Sequence, residues 1–173
     1  MKPLVFTVIL SPTKGINTEE LFRPLSSAIH HNITFNYLFD IYRIPVDRPN
    51  KKKILLNIWK INICSHDRPL NKKISLEIFL RTNHISWAIL IFDMADPDSY
   101  KELIAEREHL EVTGGITNFS IIGIHSDNAV ESTRHNLENH LMIFDDVCYE
   151  IDGNYENVIK QCIQELAITM NKD

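Results

Sequence analysis

Cys64 and His66 come nearest in this sequence to a catalytic pair. A cysteine becomes an effective nucleophile when a neighbouring base takes its proton and a third group orients that base. The sequence offers neither an orienting acid nor a recognisable oxyanion-stabilising group for this pair. A structural role is therefore the better interpretation, and we predict no catalytic residue.

The eight histidines raise the question of a metal site. His135 and His140 fall in one predicted helix, but they are five residues apart and miss a common face. No His-Glu-x-x-His motif occurs. Cys64, Cys148 and Cys162 are too scattered for a zinc ribbon or a disulfide framework and indicate a reducing, intracellular setting. We therefore predict no metal site.

The charge balance argues against nucleic acid as a partner. Asp and Glu total 23 against 18 for Lys and Arg, which gives a formal charge of -5, whereas phosphate-backbone binding needs a basic field. No stretch approaches the roughly 18 apolar residues of a transmembrane helix, and neither end carries a lipidation motif. We expect a cytoplasmic protein with no membrane anchor of its own, which a partner could recruit to a membrane or a complex.

Hydrophobic patterning divides the chain into strands that alternate with helices. Continuous apolar runs at 4–10, 88–92 and 119–124 are typical of strands buried on both faces. Alternating apolar residues at 33–44, followed by a second strand at 54–59, predict a hairpin. A last short strand is predicted from Val147 to Glu150.

The predicted helices follow the strands in order. The first runs from Glu19 to about His31 and contains Pro24, which either kinks the helix or delays its start. The others lie near 74–81, 96–111, 131–142 and 155–170. Together these elements predict a single α/β domain spanning 1–173, with three layers, a six-stranded mostly parallel sheet, one antiparallel edge hairpin strand and about five helices.

Several local sequences match one family in the same order along the chain. Residues 88–100 read AILIFDMADPDSY, which closely resembles the Rab-type segment AILVYDITDPESF. Residues 121–127 resemble LVGNKSD, residues 56–59 resemble the strand before DTAGQ, and 149–158 resemble FETSAKTGENV. The chain is therefore similar to the Ras/Rab-like small GTPases over nearly its whole length. The resemblance implies a P-loop-NTPase-like G domain.

The resemblance also shows how much of the family's phosphate chemistry is missing. The loop G-x-x-x-x-G-K-[ST] surrounds phosphates with backbone N–H groups, while its Lys and hydroxyl contact the phosphate oxygens and Mg²⁺. Its positions fall on Ser11, Ile16, Asn17 and Thr18, and only Thr18 is retained. A β-branched residue in the glycine position adopts a positive φ only at a cost. Lys14 could approach a phosphate, although a solvent-facing lysine is the simpler expectation.

The two other motifs differ in how many of their residues are retained. DTAGQ corresponds to residues 60–64, where Lys60 replaces the acid that supports Mg²⁺, Ile63 replaces the glycine and Cys64 replaces the glutamine that orients water. In N-K-x-D the guanine-reading acid is retained as Asp127, which could equally be a turn or cap residue. Thr18 and Asp127 are therefore the only candidate nucleotide-binding residues.

These losses predict a pseudo-GTPase that acts as a non-catalytic protein-interaction or adaptor subunit without a cofactor. In the family, partners contact the switch segments and the hairpin between them. If Ile61 and Ile63 lie in an exposed loop, their side chains must be covered by other parts of the chain or by a partner. Otherwise they fill the vacated nucleotide pocket. The candidate partner-binding residues are Tyr37, Phe39, Tyr42, Ile44, Trp59, Ile61 and Ile63.

Two other interpretations remain open. A divergent Rab/Ras-like protein could still bind GTP or GDP with Mg²⁺ in an atypical way, using Thr18 and Asp127. A flavodoxin-like protein with another ligand is the third interpretation, and a parallel sheet without an antiparallel edge hairpin would favour it.

Overall fold

A computed structural model describes residues 4–18, 21, 28–31, 38–46, 53–63, 67–153 and 155–170; of 28–31 and 155 it describes the backbone. The described residues contain seven strands that join in one sheet. The strands are β1 (Leu4–Pro12), β2 (Ala28–His31), β3 (Phe39–Val46), β4 (Ile54–Ile61), β5 (Trp87–Asp93), β6 (Phe119–Ile124) and β7 (Val147–Ile151).

The strand order is β2-β3-β4-β1-β5-β6-β7. β3 runs antiparallel to β2 and β4, whereas β4, β1, β5, β6 and β7 pair in parallel. All six predicted strands are present, and β3 and β4 form the predicted antiparallel hairpin, so the α/β fold is confirmed and its topology is Ras-like. The antiparallel hairpin also removes the basis for the flavodoxin-like interpretation.

The end of the first predicted helix is wrong. Ala28–His31 forms β2, which pairs antiparallel with residues 40–43 of β3. These pairs satisfy backbone groups at the sheet edge, and such tertiary contacts override weak local propensity. Thr18 and Leu21 are helical, but Pro24 lies outside the described residues.

Four α-helices are described: α1 (Leu70–Thr82), α2 (Pro97–Gly114), α3 (Glu131–Ile143) and α4 (Tyr155–Thr169). The predicted start of α2 is confirmed, because the Asp96 side chain accepts a hydrogen bond from the Asp98 N–H and Pro97 is the first helical residue. Gly115 ends α2 in a left-handed conformation with φ 64°, which glycine adopts at little cost. None of the helices described combines the length and hydropathy that crossing a bilayer requires.

The sheet separates two cores. On one face, buried strand residues such as Val8, Tyr42 and Ile58 pack in one cluster with Ile159 and Leu166 of α4. The other face is covered by α1, α2 and α3 through a second cluster, which includes Leu76, Phe79, Leu103, Leu110 and Leu137. The two clusters give the predicted three-layer arrangement.

Candidate functional site

A cleft lies at the carboxyl ends of β1, β5 and β6. Ligands of open α/β sheets bind at this edge. The cleft has a volume of about 320 Å³. Its described lining consists of Lys14, Gly15, Ile16, Asn17, Leu21, Asp93, Ile124 and His125.

The loop after β1 is bound to other parts of the protein through its own backbone amides. The Thr13 N–H donates to the carbonyl of Ile91 at 2.8 Å, and the Lys14 N–H donates to Oε2 of Glu102 at 3.0 Å. The hydroxyl oxygens of Thr13 and Ser99 lie 2.5 Å apart. A phosphate loop leaves such N–H groups open to an anion, whereas here a carboxylate of α2 already accepts from one of them.

Lys60 supplies a positive charge near the carboxyl end of β4, opposite Leu10 of β1. Its Nζ lies 3.0 Å from Oδ2 of Asp40, and the two side chains are only 14% and 8% exposed. Asp40 and Lys60 are directly opposite each other in the antiparallel β3–β4 pair. At the position expected to match the family's strand-end acid, this chain therefore holds a largely buried ammonium that is paired with a carboxylate of the same sheet.

Arg68 joins Ile63, just after β4, to Glu106 of α2. Its guanidinium donates to the carbonyl of Ile63 from Nε and Nη2, at 3.2 and 3.0 Å. Nη2 also donates to Oε1 of Glu106 at 3.0 Å, and Arg68 and Glu106 are both buried. Glu106 Oε1 further accepts from the Ser11 hydroxyl at 3.1 Å. One buried carboxylate thus ties the end of β1 and the segment after β4 to α2.

The far side of the cleft is built from Asp93 and His125. His125 takes a left-handed conformation with φ 56°, and its Nδ1 lies 3.0 Å from Oδ1 of Asp93. Asp127 lies two residues further, exposed on a one-turn 3₁₀ helix, where it accepts a hydrogen bond from the Asn128 side chain at 3.0 Å. Thr18 is buried. Neither Thr18 nor Asp127 is among the described residues that line the cleft.

The candidate partner-binding residues are mostly buried. Phe39, Tyr42, Ile44 and Ile61 are core residues, and Trp59 and Ile63 are partly buried. Ile61 packs in the cluster beneath α1 and α2, so it neither stands in an exposed loop nor fills the cleft. Tyr37, Cys64 and His66 lie outside the described part of the chain.

Sequence reasoning missed the charged residues that hold this edge of the sheet together, namely Arg68, Glu102 and Glu106. One signal could have found Glu106. It lies three residues after Leu103 and four before Leu110, which puts it on the same face of the helix as these two leucines. A charged residue in such a position needs a buried partner. Arg68 stands in a loop, where no periodicity points to it.

Comparison with protein-family models and with curated proteins yields no match to this sequence.

Proposed function

We propose that this chain is a pseudo-GTPase, a Ras-like scaffold that works without nucleotide as a non-catalytic protein-interaction or adaptor subunit. The observation that carries the proposal is the buried ion pair between Lys60 and Asp40. Mg²⁺ needs oxygen ligands and a negative surrounding. An ammonium in the position of the supporting acid offers no oxygen ligand, and it already engages the carboxylate of Asp40.

The loop after β1 supports the same proposal from the phosphate side. Glu102 accepts from the Lys14 N–H and brings a negative charge to a loop that would have to hold phosphates. The Lys14 ammonium is paired with Asp67 at 3.0 Å, which reduces what it can offer a phosphate. In this proposal, the positive charge of Lys60 replaces that of Mg²⁺, and the negative charge of Glu102 replaces that of the triphosphate.

The tie made by Arg68 supports a function without a switch. In GTPases the segment after this strand orders and relaxes with the γ-phosphate. Here Arg68, close to the start of α1, donates hydrogen bonds to the carbonyl of Ile63 and to the buried carboxylate of Glu106. Such a segment offers partners one surface, whatever the nucleotide concentration. The partners we propose are other proteins.

Two measurements test the proposal. The purified protein should release no GTP or GDP on denaturation, and titration calorimetry with Mg²⁺·GTP and Mg²⁺·GDP should give no heat of specific binding. A Ras-type protein known to retain nucleotide serves as the positive control for both. Micromolar or tighter binding of either nucleotide would overturn the proposal.

Atypical nucleotide binding is the second candidate function, and the cleft of about 320 Å³ is the observation that favours it. Such a volume accommodates a small ligand. If calorimetry detects binding, Lys14→Ala tests the site, because Lys14 lines the cleft. Loss of that binding would assign the nucleotide to the cleft, and loss with Asp127→Ala would assign the base to the family's guanine position.

A further inference from the structure

A narrow pocket lies where the end of β1 meets α2. Its volume is about 10 Å³, and its lining consists of Ser11, Pro12, Thr13, Leu90, Glu102, Leu103 and Glu106. All of these residues except Pro12 and Glu102 are buried. A volume of this size is close to the smallest that holds a single water molecule. The pocket therefore has room for one small occupant and is far too small for an organic ligand.

Glu106 brings to this pocket an oxygen atom that the protein does not bind. Its Oε1 accepts hydrogen bonds from the Ser11 hydroxyl at 3.1 Å and from Nη2 of Arg68 at 3.0 Å. Its Oε2 is buried, and no group in the part of the chain that the structure describes donates to it. A buried carboxylate oxygen without a donor costs free energy, because it has lost its hydration. Oε2 thus requires a donor small enough for the pocket.

Thr13 has a hydroxyl hydrogen that also needs a partner. Its Oγ1 lies 2.5 Å from Oγ of Ser99, which in turn accepts from the Asp93 N–H at 2.8 Å. Only one hydrogen fits between two hydroxyl oxygens, so the hydrogen of the other hydroxyl must point elsewhere. If Ser99 donates to Thr13, the remaining hydrogen belongs to Thr13, which lines the pocket. The pocket then receives one donor from Thr13 and one acceptor from Glu106.

We propose that this pocket is the binding site of one structural water molecule. The water accepts a hydrogen bond from the Thr13 hydroxyl and donates one to Oε2 of Glu106. The carboxylate of Glu102, which also lines the pocket, is the acceptor for its second hydrogen. Buried waters typically make about three hydrogen bonds of this kind. The water thereby joins the loop after β1 to two successive turns of α2. The inference goes beyond the proposed function and does not depend on it.

A metal ion is the alternative occupant, and the surrounding charges argue against it. Nη2 of Arg68 lies 3.0 Å from Oε1 of Glu106, so the guanidinium already balances that carboxylate and would repel a second cation. Leu90 and Leu103 form part of the wall, whereas Mg²⁺ and Ca²⁺ take about six or more oxygen ligands. The described residues also contain no group of three or more His, Cys, Asp or Glu that could hold a metal ion.

A high-resolution crystal structure of the natural chain tests the proposal directly. We expect one ordered peak of electron density about 2.8 Å from Oε2 of Glu106 and about 2.8 Å from Oγ1 of Thr13. Its B-factor should be close to those of the surrounding side chains, because the site is built from buried residues. Contacts of about 2.0–2.5 Å to about six oxygen atoms would identify a cation instead.

A double variant, Arg68→Met with Glu106→Met, tests whether Oε2 holds the water. It removes the carboxylate together with the cation that balances it, so the water should be lost with its main acceptor. The matched control is Arg134→Met with Glu150→Met, which removes an exposed ion pair elsewhere and should keep the water. Oxygen-17 relaxation dispersion counts long-lived waters in solution and should give about one fewer for the first variant than for the control. Circular dichroism should confirm that both variants are folded.

Other results would overturn the proposal. These are no ordered peak beside Oε2, a peak with the contacts of a cation, a protein group that donates to Oε2, or a water that stays in the double variant of Arg68 and Glu106. The crystal structure of the natural chain decides the question even if that double variant does not fold. The nucleotide measurements have no bearing on it, because the described residues that line the cleft and those that line this pocket are different.

Discussion

At the scale of single residues, Lys60 is the clearest departure from the chemistry of the resembling family. Its ammonium and the Asp40 carboxylate lie 3.0 Å apart with little exposure to solvent. In such surroundings water screens the attraction between the two charges only weakly. The pair is therefore both a feature of the site and a determinant of stability.

We expect Lys60→Met to lower the free energy of unfolding by about 2 kcal/mol, because it removes the ammonium that lies 3.0 Å from the nearly buried Asp40 carboxylate. The double variant Lys60→Met, Asp40→Leu should recover most of the loss. Urea unfolding followed by circular dichroism measures both effects. The control is Lys101→Met, which removes an exposed ion pair with Asp98 and should have no measurable effect. An unchanged stability of Lys60→Met would show that the pair contributes nothing.

Two cysteines should be unreactive for reasons of burial. Burial raises the pKa of the Cys148 thiol to about 12, and the neighbouring Glu150 charge adds to the effect. Burial likewise raises the pKa of Cys162 to about 12. Only the thiolate is nucleophilic, so iodoacetamide at about pH 8 should alkylate neither residue in the folded protein and both in denaturant. Peptide mass spectrometry distinguishes the two sites, and rapid labelling of either in the native state would contradict this expectation.

At the scale of elements, one side chain, that of Arg68, joins the residue Ile63 after β4 to Glu106 of α2. Arg68→Met removes two hydrogen bonds to the Ile63 carbonyl and leaves the Glu106 carboxylate without its buried cation. We expect a loss of about 3 kcal/mol in the free energy of unfolding, together with faster amide hydrogen exchange in residues 67–73. Hydrogen-exchange mass spectrometry detects that local change.

Arg134→Met is the control for Arg68→Met. Arg134 also pairs with a carboxylate, that of Glu150, but both side chains are more than 40% exposed. The control should change stability by less than about 1 kcal/mol. Equal effects of the two variants, or no change in exchange near α1, would show that Arg68 does not fix residues 67–73.

Elements with a strong local signal could be predicted from the sequence. The apolar runs of β5 and β6 and the capped start of α2 at Asp96 need no tertiary information, because period, length and turn chemistry agree. Ala28–His31 could not be predicted, since its strand conformation depends on pairing with β3. The sequence predicted Thr18 and Asp127 for the site, and neither is among the described residues that line the cleft. The contacts of Arg68, Glu102 and Glu106 could not be predicted, because they join residues far apart in sequence.

At the scale of the whole molecule, a buried cluster joins α2, α3 and the approach to β7. Arg107 binds both carboxylate oxygens of Asp146, at 2.7 and 3.2 Å, and Nε2 of His140 lies 2.8 Å from the same carboxylate. The guanidinium also stacks between the rings of Phe119 and Phe144, 4.5 and 4.1 Å from their centroids. This cluster connects three elements through one carboxylate.

Because of the Asp146 carboxylate, the free energy of unfolding should fall at acidic pH. Burial alone would raise the pKa of Asp146, but the hydrogen bonds from His140 and Arg107 outweigh it and lower the pKa below its usual value. A group with a lowered folded-state pKa stabilises the protein above its unfolded pKa and loses that contribution as the pH falls through the folded pKa. The stabilisation is thus complete near neutrality and lost below about pH 4.

Urea unfolding of the natural chain and of Asp146→Asn at several pH values tests this expectation. The variant should be less stable near neutral pH, and the difference should shrink below about pH 4. Asp145→Asn is the control, because that neighbouring side chain is exposed and should contribute little to stability. A difference that stays constant into acid would contradict the expected role of the carboxylate.

The buried hydrogen bonds of Arg68 to Ile63 and Glu106 also bear on how long a complex with a partner lasts. A GTPase limits how long its complexes last, because hydrolysis relaxes the segment that partners contact. A complex that involves these residues would not be ended by a hydrolysis step. Its lifetime would follow from the dissociation rate, and its amount from the concentrations of the two proteins. The amount of complex would then depend on protein supply instead of on a cycle of GTP hydrolysis. Synthesis, degradation and competing partners would decide how much complex a cell holds.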